Sequence, residues 1–381
     1  MSKKIAVILN SEPEWGGEHQ YASTLMECIV AMDDIELVAV CNGRFWRKWC
    51  KEHGIQIMDV AWFSFTEAEQ RIHVKYPLFS RLYVMYLTQF GAMLRQNKVK
   101  AVLFTVQGDF LPNLNVKMIA PVHDLMHRYE GRFPEVGKDY VARELVFSSK
   151  AKYAWCILTD SGVGRQQFLE SYSKHIKKGS VHVVSLPFTV PKHIAESEEE
   201  FIETPSKYIF YPAQFWQHKN HMNLIRAVEL LVADIPDIHL VLVGSEKNYM
   251  RTIKQYISAH GLDNNVTIKG FISNGNMTYL YRHAVGLVMP SYFGPTNIPP
   301  LEAMALGCPV AVSNKYAMPE QVGNAGLLFN PDSPEEIAEC IGKMWCDEGL
   351  RQDMIQKGYR KVSRWTSKEF GRKVKKIIGA V

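Results

Sequence analysis

The stretch SYFGPTNIPPLEAMALGCPV, residues 291–310, contains a single charged residue, Glu302. Pro299 and Pro300 preset the first turn of a helix, and Glu302 projects from that turn. A buried carboxylate must either be paired or serve a ligand. Beside free main-chain amides, it suits the hydroxyl groups of a sugar ring whose attached phosphate is held by those amides. The alternative is a carboxylate that serves only the helix dipole.

Two other loops contain residue types suited to binding phosphate. The apolar run 5–9 leads into Gly16 and Gly17, directly before a predicted helix whose amides and N-terminus attract anions. Lys219 follows the apolar run 208–211 and lies near the start of another helix, where a cation is unfavourable unless an anion lies beside it. A plain glycine turn and a solvated lysine are the alternatives.

A fourth loop, APVHDLMHRYEGRFPE, contains His123 and His127 with the i, i+4 spacing of a metal-binding helix. The zincin pattern needs a glutamate after the first histidine, and Asp124 occupies that position. His123 also lies at the end of a predicted strand. Metal binding, a buried structural role and an active-site role therefore remain open for His123, and we predict no metal site.

These loops are positioned by thirteen short apolar runs rich in β-branched residues, which we predict to be strands. Segments long enough for a crossover helix separate most of them, so the pattern predicts parallel sheets in βαβ order. The polar interval 191–207 interrupts the pattern and indicates two doubly wound halves, with ligands beyond the carboxyl ends of the strands. The predicted strands are 5–9, 35–40, 55–60, 101–106, 118–122, 155–158, 181–186, 208–211, 239–243, 266–269, 286–289, 309–312 and 326–329.

Composition indicates an ordinary globular protein. The chain has 381 residues, 47% hydrophobic and 22% charged, which suits two domains with separate cores. Its 7 cysteines include no CxxC pair, which argues against a disulfide framework or zinc ribbon and favours a reducing cytoplasm. The apolar run 5–9 is too short for a signal peptide, and the uncharged run 82–94 is too short to cross a bilayer.

The net charge of +5 is unevenly distributed. Residues 44–100 contain ten Lys or Arg and four acidic residues. Within them, RFWRKWCK at 44–51 interleaves three aromatic with four basic residues, a pairing typical of a surface that contacts an anionic membrane. The competing interpretation is a solvated basic face, with residues 82–94 forming a core helix under the first sheet.

Several motifs occur in a fixed order along nearly the whole chain. They are PVHD at 121–124, LTDS at 158–161, HKNHMNLIRA at 218–227, LVLVG at 240–244, IKGFISNGNMTYLYRHA at 268–284, VMPSYFG at 288–294 and IPPLEAMALGCPV at 298–310. Together they resemble the retaining GT-B glycosyltransferases of family 4. The resemblance implies an α/β protein with two Rossmann-like domains facing a cleft and a last helix that crosses back to the first domain. The amphipathic stripe at 370–378 suits that helix.

The resemblance also implies the function of each domain. Residues 1–190 would bind the acceptor, 191–207 would link the domains, 208–358 would bind the nucleotide sugar, and 359–381 would return to the first domain. The implied activity is transfer of a hexosyl unit, with retention at the anomeric carbon, from a nucleotide-diphosphate sugar to a cell-surface glycan or lipid-linked saccharide. Polysaccharide or lipopolysaccharide biosynthesis, in the cytoplasm and peripherally at the membrane, is the implied setting.

Site residues follow from the resemblance position by position. Glu302 matches the second glutamate of the E-x7-E motif, which binds the ribose, while Lys219 neutralises the diphosphate and His123 lies at the sugar's anomeric region. The implied donor nucleotide and diphosphate residues are Gly16, Gly17, Gln214, Lys219, Thr296, Asn297, Ile298 and Glu302. Gly270 and Phe271 would lie at the base, and His123 and Gly294 at the donor sugar.

Two positions depart from the family pattern. Gly294 stands where the first glutamate of the motif is expected, and Gln214 stands where a cation is expected upstream of Lys219. A nucleotide-sugar epimerase or hydrolase and a non-catalytic nucleotide-sugar-binding relative are therefore the alternative functions. The expected partners are a nucleotide sugar with UDP, GDP or dTDP, a glycan or glycolipid acceptor and an anionic membrane, without nucleic acid and without a required cofactor.

Overall fold

A computed structural model of the protein describes residues 3–41, 43–60, 65–176, 182–187, 189–191, 197–293 and 297–381. The chain forms two compact units. Unit 1 comprises Met1–Tyr129, Lys138–Phe188 and Ser367–Val381, and unit 2 comprises Glu130–Gly137 and Thr189–Thr366. Each unit therefore includes a segment that is distant in sequence from the rest of that unit.

Unit 1 is built on a parallel sheet of seven strands in the order β3-β2-β1-β4-β5-β6-β7. Its central strands are fully buried, because helices cover both faces of a doubly wound sheet. Connections run in opposite directions from β1 and from β4, so the topological switch point lies between these two neighbours. The strands are β1 Lys3–Leu9, β2 Ile35–Cys41, β3 Gln56–Ile57, β4 Ala101–Phe104, β5 Lys117–Val122, β6 Cys156–Thr159 and β7 His182–Ser185.

Unit 2 is built on a second parallel sheet, of six strands in the order β10-β9-β8-β11-β12-β13. Its switch point lies between β8 and β11, where Leu287 pairs with Phe210. The predicted α/β class with two doubly wound parallel sheets is confirmed. The strands are β8 Ile209–Pro212, β9 Leu240–Val243, β10 Val266–Lys269, β11 Gly286–Met289, β12 Val310–Ser313 and β13 Gly326–Phe329.

The helices connect successive strands and cover the sheets. Several begin with the caps that the sequence favours; for example, Ser333 caps its helix by accepting a hydrogen bond from the amide of Glu336. The helices of the first half are α1 Gly17–Val30, α2 Arg44–Glu52, α3 Glu67–Lys75, α4 Pro77–Leu87, α5 Gln89–Gln96, α6 Met126–Tyr129, α7 Pro134–Gly137, α8 Tyr140–Tyr153 and α9 Gly162–Tyr172. Those of the second half are α10 His221–Val232, α11 Met250–Ala259, α12 Asn274–His283, α13 Ile298–Ala305, α14 Met318–Val322, α15 Pro334–Cys346, α16 Glu348–Ser363 and α17 Ser367–Gly379.

The last helix, α17, belongs to unit 1 and packs against α1. Its buried residues are Phe370, Val374 and Ile378, which repeat at helical spacing. The amphipathic stripe predicted from the sequence therefore faces the first unit, as the fold prediction requires.

Two local predictions are wrong. Residues 82–94 do not form one core helix, because Thr88 separates α4 from α5 and caps α5 through the amide of Gly91. The aromatic residues of α2 do not all face outward, because Trp46 is fully buried and its indole N–H donates to the Ser11 carbonyl oxygen at 2.8 Å. Hydrophobic periodicity alone does not reveal which face of such a segment the rest of the fold covers.

Gly91 sets how closely α5 approaches α4. A Cβ atom at this position would lie 2.1 Å from the Val84 carbonyl oxygen and 2.4 Å from that of Met85. Gly91→Ala should therefore destabilise the protein by about 1–3 kcal/mol, because main-chain atoms cannot yield as a flexible side chain can. Urea unfolding followed by circular dichroism measures the loss. Gly379→Ala is the matched control, because nothing lies within 4 Å of its Cβ position; equal stability of the two variants would contradict the prediction.

Candidate functional site

In unit 2, the loops that follow β8 and β11 meet at the switch point of the sheet. Asn220 joins them: its side-chain amide donates to the Pro290 carbonyl oxygen at 3.1 Å and to that of Pro331 at 2.8 Å. Asn220 also adopts the left-handed conformation, with φ of 59°. One buried amide thus fixes the geometry of three loops at the carboxyl ends of β8, β11 and β13.

The first of these loops carries Gln214 and Lys219. The side-chain oxygen of Gln214 accepts a hydrogen bond from the indole N–H of Trp216 at 2.9 Å. Lys219 ends a 3₁₀ turn, Gln217–Lys219, directly before α10, and its carbonyl oxygen accepts from the Tyr211 hydroxyl at 2.9 Å. Lys219 therefore lies beside a helix N-terminus, at the carboxyl ends of the strands of the second sheet.

Glu302 lies at the start of the second turn of α13, instead of in the first turn as predicted, and is 4% exposed. Its Oε2 accepts a hydrogen bond from the Tyr281 hydroxyl at 2.7 Å. Burial raises the pKa of Glu302 to about 7, although the hydrogen bond from Tyr281 opposes the shift. The carboxyl group therefore changes its charge near neutral pH, and a ligand that donates hydroxyl hydrogen bonds would favour the ionised form.

The start of α13 is held by a side chain that the sequence did not indicate. The amide of Asn297 donates to Gln321 Oε1 at 2.9 Å, and Gln321 Nε2 donates back to the Asn297 carbonyl oxygen. The Asn297 side chain also donates to the Phe293 carbonyl oxygen at 3.0 Å. Ile298 opens the helix. The predicted residues Gly294 and Thr296 lie outside the described residues.

Gly270 and Phe271, predicted to lie at the nucleotide base, follow β10. The sheet order separates β10 from β8 by β9, so these residues do not share the switch point with Lys219. Phe271 is 93% exposed, and nothing lies within 4 Å of a Cβ atom placed on Gly270.

Residues Glu130–Gly137 contact the same loops of unit 2, although they follow β5 in the chain. Glu135 Oε1 accepts from the Gln217 amide at 2.6 Å and lies 3.6 Å from His218 Nδ1. Burial would raise the pKa of Glu135, but His218 and main-chain amides lower it to about 2. An ionised carboxylate is therefore held against the 3₁₀ turn that carries Lys219, and no spacing signal in the sequence revealed it.

In unit 1, Gly16 and Gly17 follow β1 at the switch point. Gly16 has a φ of 67°, which a side chain would strain, and Gly17 begins α1. The neighbouring loop, after β4, carries Gln107, whose main-chain N–H donates to Glu18 Oε1 at 2.8 Å. The glycine pair thus precedes and begins a helix at the carboxyl ends of the strands of the first sheet, as the sequence predicted.

His123 follows β5 and pairs with Asp160, which follows β6. Its Nδ1 lies 3.0 Å from each carboxylate oxygen of Asp160, and the Tyr21 ring meets the imidazole edge-on with centroids 4.4 Å apart. Burial would lower the pKa of His123, but Asp160, with Glu18 and Asp124, raises it. The other ring nitrogen, Nε2, is buried and has no hydrogen-bond partner among the described residues. The pair therefore orients an imidazole whose second nitrogen can serve a ligand.

Gln107 organises the loop that carries His123. Its side-chain oxygen accepts from the amides of His123 at 2.9 Å and Asp124 at 3.1 Å, while its amide nitrogen donates to Asp124 Oδ2 at 2.8 Å. Lys150, fully buried, donates to the main-chain oxygens of Gln107 at 2.7 Å and Pro121 at 2.8 Å. Sequence analysis missed both residues; the position of Gln107 after β4, at the switch point, was the available signal.

The structure separates the two histidines that raised the metal interpretation. His127 Nε2 contacts Glu144 Oε1 at 2.8 Å, whereas His123 contacts Asp160. Arg128 and the Tyr172 hydroxyl also bind Glu144, which makes a polar cluster within unit 1. Within the described ranges, no group of three or more His, Cys, Asp or Glu side chains is arranged to hold a metal ion.

Two doubly wound parallel sheets, each with polar side chains at its switch point, and a last helix that joins the first unit define the GT-B fold of glycosyltransferases. The Anabaena protein Alr3699/HepE, solved in complex with UDP and glucose, is similar over 100% of both chains, with a TM-score of 0.71. The identity is 14%, so this likeness concerns the fold.

Residues 193–361 match the model of the family "Glycosyl transferases group 1". The chain is 25% identical over 160 residues to O-antigen chain mannosyltransferase B of Escherichia coli, covering 42% of each protein. It is 28% identical over 192 residues to O-antigen chain mannosyltransferase RfbU of Salmonella typhimurium, covering 45% of this chain and 54% of RfbU. The matches thus span about half the length of these curated relatives.

Asp160→Asn should lower the pKa of His123, because burial would then be opposed only by the smaller contributions of Glu18 and Asp124. NMR titration of the imidazole protons, assigned with His123→Gln, measures the shift. The exposed Asp139→Asn is the control. The stabilisation from the wild-type pair is complete below the unfolded pKa of about 6.5 and is lost as the pH rises through the higher folded pKa. An unchanged His123 pKa in Asp160→Asn would show that the pair does not set it.

Proposed function

We propose that the protein is a retaining glycosyltransferase that transfers a hexosyl unit from a nucleotide-diphosphate sugar to a cell-surface glycan or lipid-linked saccharide. The observation that carries this proposal is Glu302, a buried carboxylate held by Tyr281 with a pKa of about 7. It lies within the family-matched residues, in the helix α13 that follows the switch-point strand β11. A carboxylate in this position suits the vicinal hydroxyls of a ribose.

In this proposal, unit 2 binds the donor. Glu302 accepts hydrogen bonds from the ribose, and Lys219, beside the N-terminus of α10, attracts the diphosphate. The names of the two O-antigen relatives make mannose the first donor sugar to test. UDP, GDP and dTDP are the candidate nucleotides, and UDP has support from the ligand named for the Anabaena structure. No cofactor besides the sugar nucleotide enters the proposal.

The proposed reaction exchanges one bond at the anomeric carbon for another. The bond from this carbon to the phosphate oxygen breaks, and its electron pair stays on the departing diphosphate. The acceptor hydroxyl forms the new bond on the same face and passes its proton to the departing phosphate. Lys219 stabilises the negative charge of the leaving group. In unit 1, Asp160 orients the His123 imidazole through Nδ1, which leaves Nε2 to serve a ligand.

Gly294 and Gln214 bear on how the donor is held. Gln214 already accepts a hydrogen bond from Trp216 and supplies no charge, so the leaving group would depend more strongly on Lys219.

The acceptor would be bound by unit 1, and transfer would occur in the cytoplasm on a polysaccharide or lipopolysaccharide intermediate at the membrane.

A transfer assay tests the proposal directly. The protein is incubated with UDP-, GDP- or dTDP-linked hexoses and a polyprenyl diphosphate-linked saccharide, and the lipid fraction is analysed by mass spectrometry. Lipid gains one hexose if the proposal is right, and NMR of the product then reports retention or inversion. Free hexose formed without acceptor would instead indicate a hydrolase, and an epimerised nucleotide sugar an epimerase. Binding without turnover for every donor, followed by thermal shift, would indicate a non-catalytic relative.

Glu302→Gln should weaken nucleotide-sugar binding by about 10-fold or more at pH 8, because an ionised carboxylate accepts hydroxyl hydrogen bonds on two oxygens and an amide on one. Wild-type affinity should rise as the pH rises through about 7, where Glu302 ionises, while that of Glu302→Gln stays flat. Calorimetry measures both. A nucleotide sugar is used because its diphosphate does not titrate in this range, and the exposed Glu339→Gln is the control. Unchanged affinity and pH dependence in Glu302→Gln would remove Glu302 from the site.

Lys219→Ala should lower turnover by about 100-fold or more, because the departing diphosphate would lose its nearest cation. Steady-state kinetics with the preferred donor measures the loss, and thermal unfolding checks that stability is retained. Lys254→Ala, which removes an exposed cation of α11 in the same unit, should keep the wild-type rate. A near-normal rate in Lys219→Ala would assign leaving-group stabilisation to other residues.

A further inference from the structure

Large apolar side chains are exposed together on α3, on α4 and at the joint between these helices. Their exposed fractions lie between 38% and 75%, which is high for residues of this size. We call this surface the α3–α4 face. Its members are Ile72, Tyr76, Leu78, Phe79, Leu82, Tyr83, Tyr86 and Leu87.

The exposure follows from how α4 packs. The helix buries Ser80, Val84 and Met85, so the residues on its other side point outward. Leu78, Leu82 and Tyr86 repeat at i, i+4 along the exposed side. An outward apolar side on a surface helix marks an interaction site, because monomeric soluble proteins seldom expose contiguous apolar patches of this kind.

Positive charge surrounds the α3–α4 face. Residues 70–108 contain no aspartate or glutamate and six Lys or Arg, at 71, 75, 81, 95, 98 and 100. Two of these cations lie over aromatic rings of the face: Lys75 lies 5.3 Å from the Tyr76 ring centroid, and Arg95 lies 4.8 Å from that of Tyr86. A partner that suits this face therefore has both apolar groups and negatively charged groups.

A cavity of about 800 Å³ adjoins the face at Leu78. Four cations line it, namely Arg81, Lys100, Lys117 and Lys152, and no aspartate or glutamate side chain does. Lys117 donates to the main-chain oxygens of Ala380 and Val381, whereas Arg81 and Lys100 form no ion pair within the described part of the chain. The lining suits a phosphate group.

The cavity is separate from the site of the proposed reaction. Lys100 directly precedes β4, Lys117 begins β5, and Trp155, also in the lining, directly precedes β6. These positions lie at the amino ends of the strands, whereas His123 and Asp160 follow the carboxyl ends of β5 and β6. The two groups of residues therefore lie at opposite ends of the parallel strands of the same sheet.

We propose that the α3–α4 face and its basic cavity form a docking surface for an anionic lipid bilayer. The leucine and aromatic side chains enter the boundary between headgroups and acyl chains, and the cavity takes a lipid phosphate. No helix among the described residues is long and apolar enough to span a membrane. The basic residues of α2 play a smaller part, because Trp46 is buried and Trp49, which is partly buried, stacks on His53.

Flotation with vesicles tests this surface without sugar nucleotide or acceptor, so its outcome is independent of the proposed function. The wild-type protein should bind phosphatidylcholine vesicles that contain phosphatidylglycerol, bind pure phosphatidylcholine weakly, and dissociate from the anionic vesicles at high salt. Replacing Leu78, Leu82 and Leu87 by serine should weaken binding about 10-fold or more. Circular dichroism checks that the variant is folded.

A charge variant keeps the test decisive if the serine variant does not fold. Replacing Arg81, Lys100 and Lys152 by glutamine should weaken binding about 100-fold, since each cation contributes about fivefold. The matched control replaces Arg47, Lys48 and Lys51 of α2 by glutamine and should lose much less. The proposal is overturned if the wild type ignores anionic vesicles at low salt, or if the control loses as much as the charge variant. It is also overturned if a wild-type dimer without vesicle affinity becomes monomeric in the serine variant, which would make the face an interface between copies.

Discussion

The burial of Lys150 constrains the loops at the carboxyl ends of β4 and β5 in unit 1. The side chain is fully inside the unit and ends on two main-chain oxygens, those of Gln107 and Pro121. Burial lowers the pKa of Lys150 to about 7, against the charges of Asp109 and Glu18. An unpaired buried carbonyl costs about 1–3 kcal/mol. The amine of Lys150 therefore lies where the carbonyl oxygens of Gln107 and Pro121 can both accept a hydrogen bond from it. The loops after β4 and β5 are thereby fixed together, and the Gln107 side-chain oxygen accepts hydrogen bonds from the consecutive main-chain amides of His123 and Asp124.

Unit 2 meets the same requirement with neutral amides. Asn220 satisfies carbonyl oxygens of the loops after β11 and β13, and Gln321 satisfies both main-chain polar groups of Asn297. In the proposed function, these hydrogen bonds hold the loops in place, and the ionisable groups Lys219 and Glu302 interact with the substrate. Preorganisation of polar groups is the property that electrostatic catalysis requires. Each unit therefore separates the residues that hold the loops from the residues assigned to substrate.

Sequence patterns predicted the strands well because a strand buried on both faces is apolar along its buried length, as β4 is throughout and β1 is from Ile5 to Leu9. Loop positions followed from the βαβ order, which explains why the predicted segments that carry Lys219 and Glu302 lie after β8 and β11 in the structure. Gln107, Glu135 and Gln321 were not predicted, since their partners are 16 or more residues away and only the folded chain brings them near. Trp46 shows the same limit: its indole N–H needs Ser11, on another element, before burial is favourable.

The exchange of segments between the units bears on how the chain acquires its structure during synthesis. Unit 1 has its first strands early but its helix α17, which buries Phe370 and Val374 against α1, only after almost all of unit 2 has been made. Unit 2, in turn, uses Glu130–Gly137, which emerge long before its own sheet. The apolar groove on α1 must therefore stay unfilled while the ribosome completes the second sheet. Nascent unit 1 is for that interval a partly exposed intermediate, of the kind that chaperones bind.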